Sequence, residues 1–123
     1  MRTVLHAKLH NAIVTEANLA YVGSITIDQN ILDKVDIWAG ERVMVVSNTS
    51  GARLETYVIS GERGKKDICV NGAAAHLIGK DEQVIIMAFR TSDKPVEAMV
   101  AILDKTNTVI QMLHEKPNMV APV

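Results

Sequence analysis

Short runs of β-branched and aliphatic residues, each cut off by a turn signal, recur along this 123-residue chain. E-R-V-M-V-V-S, from Glu41 to Ser47, meets N-T-S-G at 48–51, and Ala52 to Ser60 runs back, which predicts a hairpin. Asp67 to Val70 stops at the turn dipeptide Asn71-Gly72. Met99 to Leu103 and Thr108 to Leu113 flank D-K-T-N and predict a last hairpin. Q-V-I-I-M-A-F, from Gln83 to Phe89, is apolar from Val84 onward and is expected to be a fully buried strand. Arg2 to Leu9 forms a first strand, which Asn11 to Val14 extends or pairs with. Helical spacing is confined to Ile31, Leu32 and Val35 behind a potential N-cap at Asp28, and to a single turn over Ala73 to Leu77. Many short strands with two short helices predict an all-β barrel or sandwich, one domain by length. Aromatic residues make up only 3% of the chain. Its core must therefore be aliphatic, and a polar site is expected at the barrel rim or between subunits.

The same composition excludes several functions. A formal net charge of -1 offers nucleic acid or an anionic membrane no basic surface, and so few aromatics give no platform for stacking bases. Cys69 is the only cysteine, so no intramolecular disulfide is expected, in keeping with a reducing compartment. No apolar run approaches the ~20 residues a membrane helix needs. The amino terminus lacks the apolar stretch of a secretion signal, and the expected location is the cytoplasm. The four histidines, His6, His10, His76 and His114, show no metal-binding spacing, and no metal is expected.

A-Y-V-G-S-I-T-I-D, from Ala20 to Asp28, combines good strand residues with Gly23-Ser24 in their midst. One reading is a kink, with the Ser24 hydroxyl satisfying a nearby backbone group. The other is chemical. A serine hydroxyl held against the carbonyl of the preceding residue can convert that amide to an ester. Elimination then leaves dehydroalanine, and hydrolysis leaves a pyruvoyl group at a new amino terminus. On this reading Gly23 contributes backbone conformations closed to other residues.

Y-V-G-S-I-T-I-D, then G-A-R-L-E-T-Y at 51–57, G-E-R-G at 61–64 and N-G-A-A-A-H at 71–76, in this order and spacing, resemble the pyruvoyl-dependent aspartate 1-decarboxylases. The resemblance spans Arg2 to Phe89. It implies a small six-stranded double-psi β-barrel with short helices. It also implies self-cleavage between Gly23 and Ser24 into residues 1–23 and 24–123; the tail, 114–123, is expected to be loose from its own composition and terminal position. The implied reaction removes the α-carboxylate of L-aspartate to give β-alanine, a precursor of pantothenate. It proceeds through a Schiff base to the pyruvoyl group derived from Ser24, without pyridoxal phosphate or metal. A homotetramer with sites at subunit boundaries is implied too; some relatives need a maturation helper.

The resemblance assigns roles residue by residue. Ser24 becomes the pyruvoyl group, and Tyr57 donates the proton that replaces carbon dioxide. Arg53 holds one of the substrate carboxylates, for which a guanidinium fork is suited, and Lys8 also binds the acidic substrate. Thr56 contacts the site and polarises the Gly23 carbonyl during processing. Asn71 aids maturation; Gly72, Ala73 and Ala74 contact substrate, and free N–H groups at a helix start would favour an oxyanion. Tyr21 and His10 match residues near the family's site, and an aspartate is common where this chain has Asn18. Without the resemblance, Arg53 reads as a solvated hairpin residue, Lys8 as an edge-strand charge, Tyr57 as a half-buried aromatic, and Tyr21 as a core one. A non-catalytic barrel binding an acidic ligand or protein partner is the alternative function.

Overall fold

The computed structural model describes residues 1–119. Its strands are β1 (Arg2–Ile13), β2 (Glu16–Asn18), β3 (Ser24–Asp28), β4 (Arg42–Ser47), β5 (Arg53–Gly61), β6 (Ile68–Asn71), β7 (Gln83–Ser92), β8 (Met99–Leu103) and β9 (Val109–Leu113). The helical pieces are α1 (Gln29–Val35) and a 3-10 turn over Gly72–His76. The mainly-β expectation holds, with nine strands in one sheet rather than six.

The count falls back to six around a closed ring. The sheet order is β2-β6-β3-β5-β4-β7-β1-β8-β9. β1 pairs antiparallel with β7, and its continuation β2 pairs parallel with β6. Between them Val14 N–H donates to the Glu82 carbonyl at 3.0 Å and Thr15 N–H to the Ile68 carbonyl at 2.8 Å. One stretch of chain thus leaves one neighbour for another and joins the two ends of the sheet. β8 and β9 are an added hairpin on the free edge of β1, joined to it in parallel.

The ring interior is aliphatic. Leu9, Ile25, Ile27, Val43, Val45, Val58, Ile68, Val84 and Ile86 are buried in one cluster, with Ile31, Leu32 and Val35 of α1 as part of it. Asp28 does cap α1, its Oδ1 accepting from Asn30 N–H at 2.7 Å, while its Oδ2 accepts from the N–H groups of Gly64 and Lys66. The predicted hairpin of β4 and β5 forms with Thr56 opposite Val43 and Tyr57 opposite Arg42.

Three expectations need correction. First, Ala20 to Asp28 is not one kinked strand. The chain turns after Asn18 and resumes as β3 only at Ser24. The reason is local: Asn18 Oδ1 accepts from Ala20 N–H at 2.9 Å, a side-chain turn that competes with the ladder. Second, β7 is not buried on both faces. Val84, Ile86 and Ala88 enter the core, whereas Phe89 is 39% exposed and Ile85 and Met87 are half-buried. Strand alternation sends these three to the outside of the ring. Third, of the two readings of Tyr21, site-lining or core, the core one fails because the residue is exposed. Of the segment expected to be loose, 120–123 lies outside the described residues. Within the remainder, Glu115 ion-pairs with Lys8 at 3.0 Å and His114 Nδ1 lies 3.0 Å from the Ala98 carbonyl.

Asn107 ties the added hairpin to the ring. Its Oδ1 accepts from Ile13 N–H at 2.7 Å, and its Nδ2 donates to the carbonyls of Ile13 at 2.9 Å and Lys66 at 3.0 Å. It is buried, with φ 59, a left-handed conformation asparagine tolerates better than most residues. Asn107→Ala strands these backbone groups and is expected to cost about 3 kcal/mol, read as a lowered urea midpoint.

Candidate active site

Ser24 opens β3 and is 1% exposed. Directly across the antiparallel ladder stands Asn71, the last residue of β6. The Asn71 Nδ2 donates to Ser24 Oγ at 3.1 Å and to Thr26 Oγ1 at 3.0 Å. Ser24 and Thr26 share one face because strand side chains alternate, and Asn71 spans both. Its own Oδ1 is buried with no hydrogen-bond partner among the described residues. An orphaned buried acceptor typically costs about 1–3 kcal/mol, and such groups mark sites with a task beyond packing.

Gly72 brings the Gly23–Ser24 peptide to this cluster. It has φ 68, and a Cβ on it would lie 2.7 Å from Gly23 Cα, 2.9 Å from Gly23 N and 3.0 Å from the Tyr21 carbonyl oxygen. No side chain fits there. Gly23 itself lies outside the left-handed region, and a Cβ on it would come no nearer than 3.9 Å to the Asn71 carbonyl oxygen. The backbone freedom that the sequence suggests at Gly23 is therefore exercised at Gly72.

Strand register places Tyr57 near Ser24. β3 and β5 run parallel, and their ladder starts with Ile25 level with Val58; Ser24 and Tyr57 are the residues just before that pair, on the opposite face by strand alternation. Tyr57 is 43% exposed. Thr56 alternates to the core side with Leu54 and Val58, opposite Val43, and the chain does not bring it to Ser24's face. Arg53 shares the outer face with Tyr57 but lies four residues back, roughly 13 Å along a strand rising ~3.3 Å per residue. It is exposed, and its guanidinium has no ion-pair or hydrogen-bond partner among the described residues.

Lys8 and His10 lie elsewhere on the ring. Lys8 is level with Met87 on β7 and Val100 on β8, across β7, β4 and β5 from β3, and its Nζ is held by Glu115. Burial lowers the pKa of His10, the positive charge of Lys8 lowers it further, and Glu115 opposes both. Of the 3-10 turn, Ala73 is exposed and Ala74 packs against the core. An open hollow of about 400 Å³ on the outer face is lined by Arg42, Glu55, Phe89 and Arg90, but not by Ser24.

The chain thus gathers Gly23, Ser24, Asn71, Gly72 and Tyr57, keeps Tyr21 at the edge, and leaves Lys8, His10, Arg53 and Thr56 apart from them. Sequence reasoning missed Thr26. Its signal was present: a hydroxyl two residues after Ser24 on a strand must share its face.

Comparison with known proteins follows the same line. The family model for aspartate decarboxylase matches residues 1–110. The chain is 51% identical to the aspartate 1-decarboxylase of Staphylococcus carnosus (strain TM300), covering 98% of each chain. It is 49% identical to that of Staphylococcus aureus (strain MSSA476), covering 96% of each.

Gly72→Ala is expected to push the Tyr21–Gly23 turn off Asn71, because backbone rather than a flexible side chain occupies the space. Backbone amide exchange at Val22 and Gly23, measured on the uncut chain, should rise at least tenfold, against ~1 kcal/mol or more of strain, with the β4–β7 ladder unaffected.

Proposed function

Because the chain belongs to the aspartate decarboxylase family, we infer that it removes the α-carboxylate of L-aspartate as carbon dioxide and leaves β-alanine, after cutting itself between Gly23 and Ser24. The observation that carries the cleavage reading is the buried Ser24 hydroxyl, hydrogen-bonded by Asn71 and adjoining a peptide pressed against Gly72.

The residues of this chain suit a pyruvoyl group at position 24. The Ser24 side chain is buried, and Asn71 brings a buried acceptor with no partner among the described residues. Ser24 Oγ attacks the Gly23 carbonyl carbon, the peptide C–N bond breaks, and the nitrogen takes a proton, leaving an ester. Loss of the Ser24 Cα proton and rupture of Cβ–Oγ free the Gly23 carboxylate and leave dehydroalanine. Water then replaces the nitrogen, which departs as ammonia. The resulting ketone supplies a binding point for the substrate amine and a sink for the electrons of the broken carbon–carbon bond. Pyridoxal phosphate has no role in this scheme.

The remaining work falls to side chains on the outer face. Tyr57, beside Ser24, returns a proton through its hydroxyl. Arg53 and Lys8 bind the substrate carboxylates, Lys8 exchanging Glu115 for substrate. Gly72, Ala73 and Ala74 line the substrate, and Thr56, Tyr21 and His10 act during processing. Within one chain Arg53 and Lys8 stand away from Ser24, on a face that also carries half-buried Met44, Val46, Ile85 and Met87. That supports assembly as a homotetramer in which one subunit's outer face completes another's site. Among the described residues no helix is long and apolar enough to span a membrane; the proposed setting is the cytoplasm, where β-alanine feeds pantothenate synthesis.

Mass spectrometry of the purified protein tests the reading. Fragments 1–23 and 24–123 are expected, the larger blocked to Edman degradation and reactive with hydrazides, while Ser24→Ala stays whole. An intact, hydrazide-inert wild-type chain would favour a binding barrel instead. Arg53→Ala should still be cut but lose about 10- to 100-fold in kcat/KM, the worth of a charge-assisted hydrogen bond; unchanged aspartate kinetics would remove Arg53 from the site.

A further inference from the structure

Thr26 is the one group around Ser24 to which nothing above gives a task. Its Oγ1 accepts from Asn71 Nδ2 at 3.0 Å, while the same nitrogen reaches Ser24 Oγ at 3.1 Å. A carboxamide nitrogen carries two hydrogens, and these two oxygens take one each. Remove the Thr26 oxygen and one anchor remains, about which the amide can swing.

Thr26 is itself held. On the neighbouring strand the position facing its methyl is Gly61, where a Cβ would lie 3.1 Å from Thr26 Cγ2 and 3.2 Å from the carbonyl carbon of Ile27. The missing side chain leaves room for that methyl, and a β-branched residue is stiff about χ1. With the methyl seated at Gly61, Oγ1 is aimed at Asn71. The path therefore runs from the space left open at Gly61 through Thr26 and Asn71 to Ser24 Oγ.

The direction of the last hydrogen bond decides which step it serves. A donor on Oγ does not help that oxygen attack, since it engages a lone pair of the nucleophile. It does help Oγ leave. In the elimination, water acting as base takes the Ser24 Cα proton, and the electrons of that bond form the Cα–Cβ double bond. The Cβ–Oγ bond breaks and its pair stays on Oγ, now a carboxylate oxygen of Gly23. Negative charge grows on the atom that Asn71 Nδ2 faces, where a fixed donor is worth most.

We propose that Thr26 is a positioning residue for self-cleavage, holding the Asn71 carboxamide with its N–H groups toward Ser24 Oγ so that this oxygen departs hydrogen-bonded when the ester opens. The proposal rests on the reading of Ser24 as the cleavage residue.

The test follows the processing of freshly expressed full-length chains by intact mass. Thr26→Val keeps shape and strand propensity but removes the oxygen. It is expected to form the pyruvoyl-capped 24–123 fragment at least tenfold more slowly than wild type, and to accumulate ester. Hydroxylamine in denaturant splits such an ester, releasing 24–123 with a free serine terminus open to Edman chemistry, whereas an unreacted amide stays whole. Thr26→Ser, which keeps the oxygen and loses only the methyl, should mature at a rate nearer wild type than to the valine variant. Wild-type maturation rates in Thr26→Val would overturn the proposal. So would a folded valine variant arrested as the hydroxylamine-stable amide, or a serine variant as slow as valine. If wild type itself remains uncut, the underlying reading of Ser24 fails and this one with it; a cleaving wild type beside an indifferent Thr26→Val defeats this proposal alone.

Discussion

Thr15 N–H donates to the Ile68 carbonyl at 2.8 Å, Thr15 Oγ1 donates to the same oxygen at 3.1 Å, and Ile68 N–H in turn donates to Thr15 Oγ1 at 2.9 Å. This clasp is where the chain stops pairing with β7 and starts pairing with β6, and it shuts the sheet into a ring. Without it β6 would be a free edge. With it, β6 is flanked by β2 and β3, and its terminal Asn71-Gly72 is delivered against Gly23-Ser24. Closing a ring also removes unpaired backbone edges, which a small aliphatic barrel would otherwise expose.

The ring has two unlike faces. Its inside is a dry cluster of Ile, Leu and Val. Its outside, across β5, β4, β7 and β1, carries Arg53, Tyr57, Met44, Phe89 and Lys8, a mixture of charge and uncovered apolar surface. Ser24 belongs to the outer face and is nonetheless buried, because the turn at 19–23 and the Asn71-Gly72 segment fold over it. The hydroxyl is thus withheld from solvent while the tyrosine beside it remains open. Burying a polar cluster with one acceptor unpaired among the described residues opposes stability; the surrounding aliphatic ring offsets that cost.

Features governed by neighbours in sequence were legible. The Asp28 cap, the β4–β5 hairpin, the turn at Asn71-Gly72 and the D-K-T-N hairpin each follow from residues a few positions apart. The Gly23-Ser24 dipeptide and its companion motifs pointed to one family, and near-full-length likeness to curated relatives agrees. Less legible was β7, whose unbroken apolar run looked buried on both faces. Composition cannot tell a core face from a face left for another surface. The end of β2 at Asn18 was hidden for a subtler reason: a side-chain turn competed with strand propensity over Ala20 to Val22, and won.

By itself the sequence determined the strand content, the aliphatic core and the cap of α1, since each depends on short-range preference or on a residue's own chemistry. Only the tertiary structure decided that Gly72 rather than Gly23 carries the unusual backbone, that Thr26 shares Asn71 with Ser24, and that Arg53 and Lys8 stand away from both. Those facts depend on which strands become neighbours and in what register. Closure at Thr15 and Ile68 brings together segments far apart in the chain, a relation that no local pattern of residues encodes.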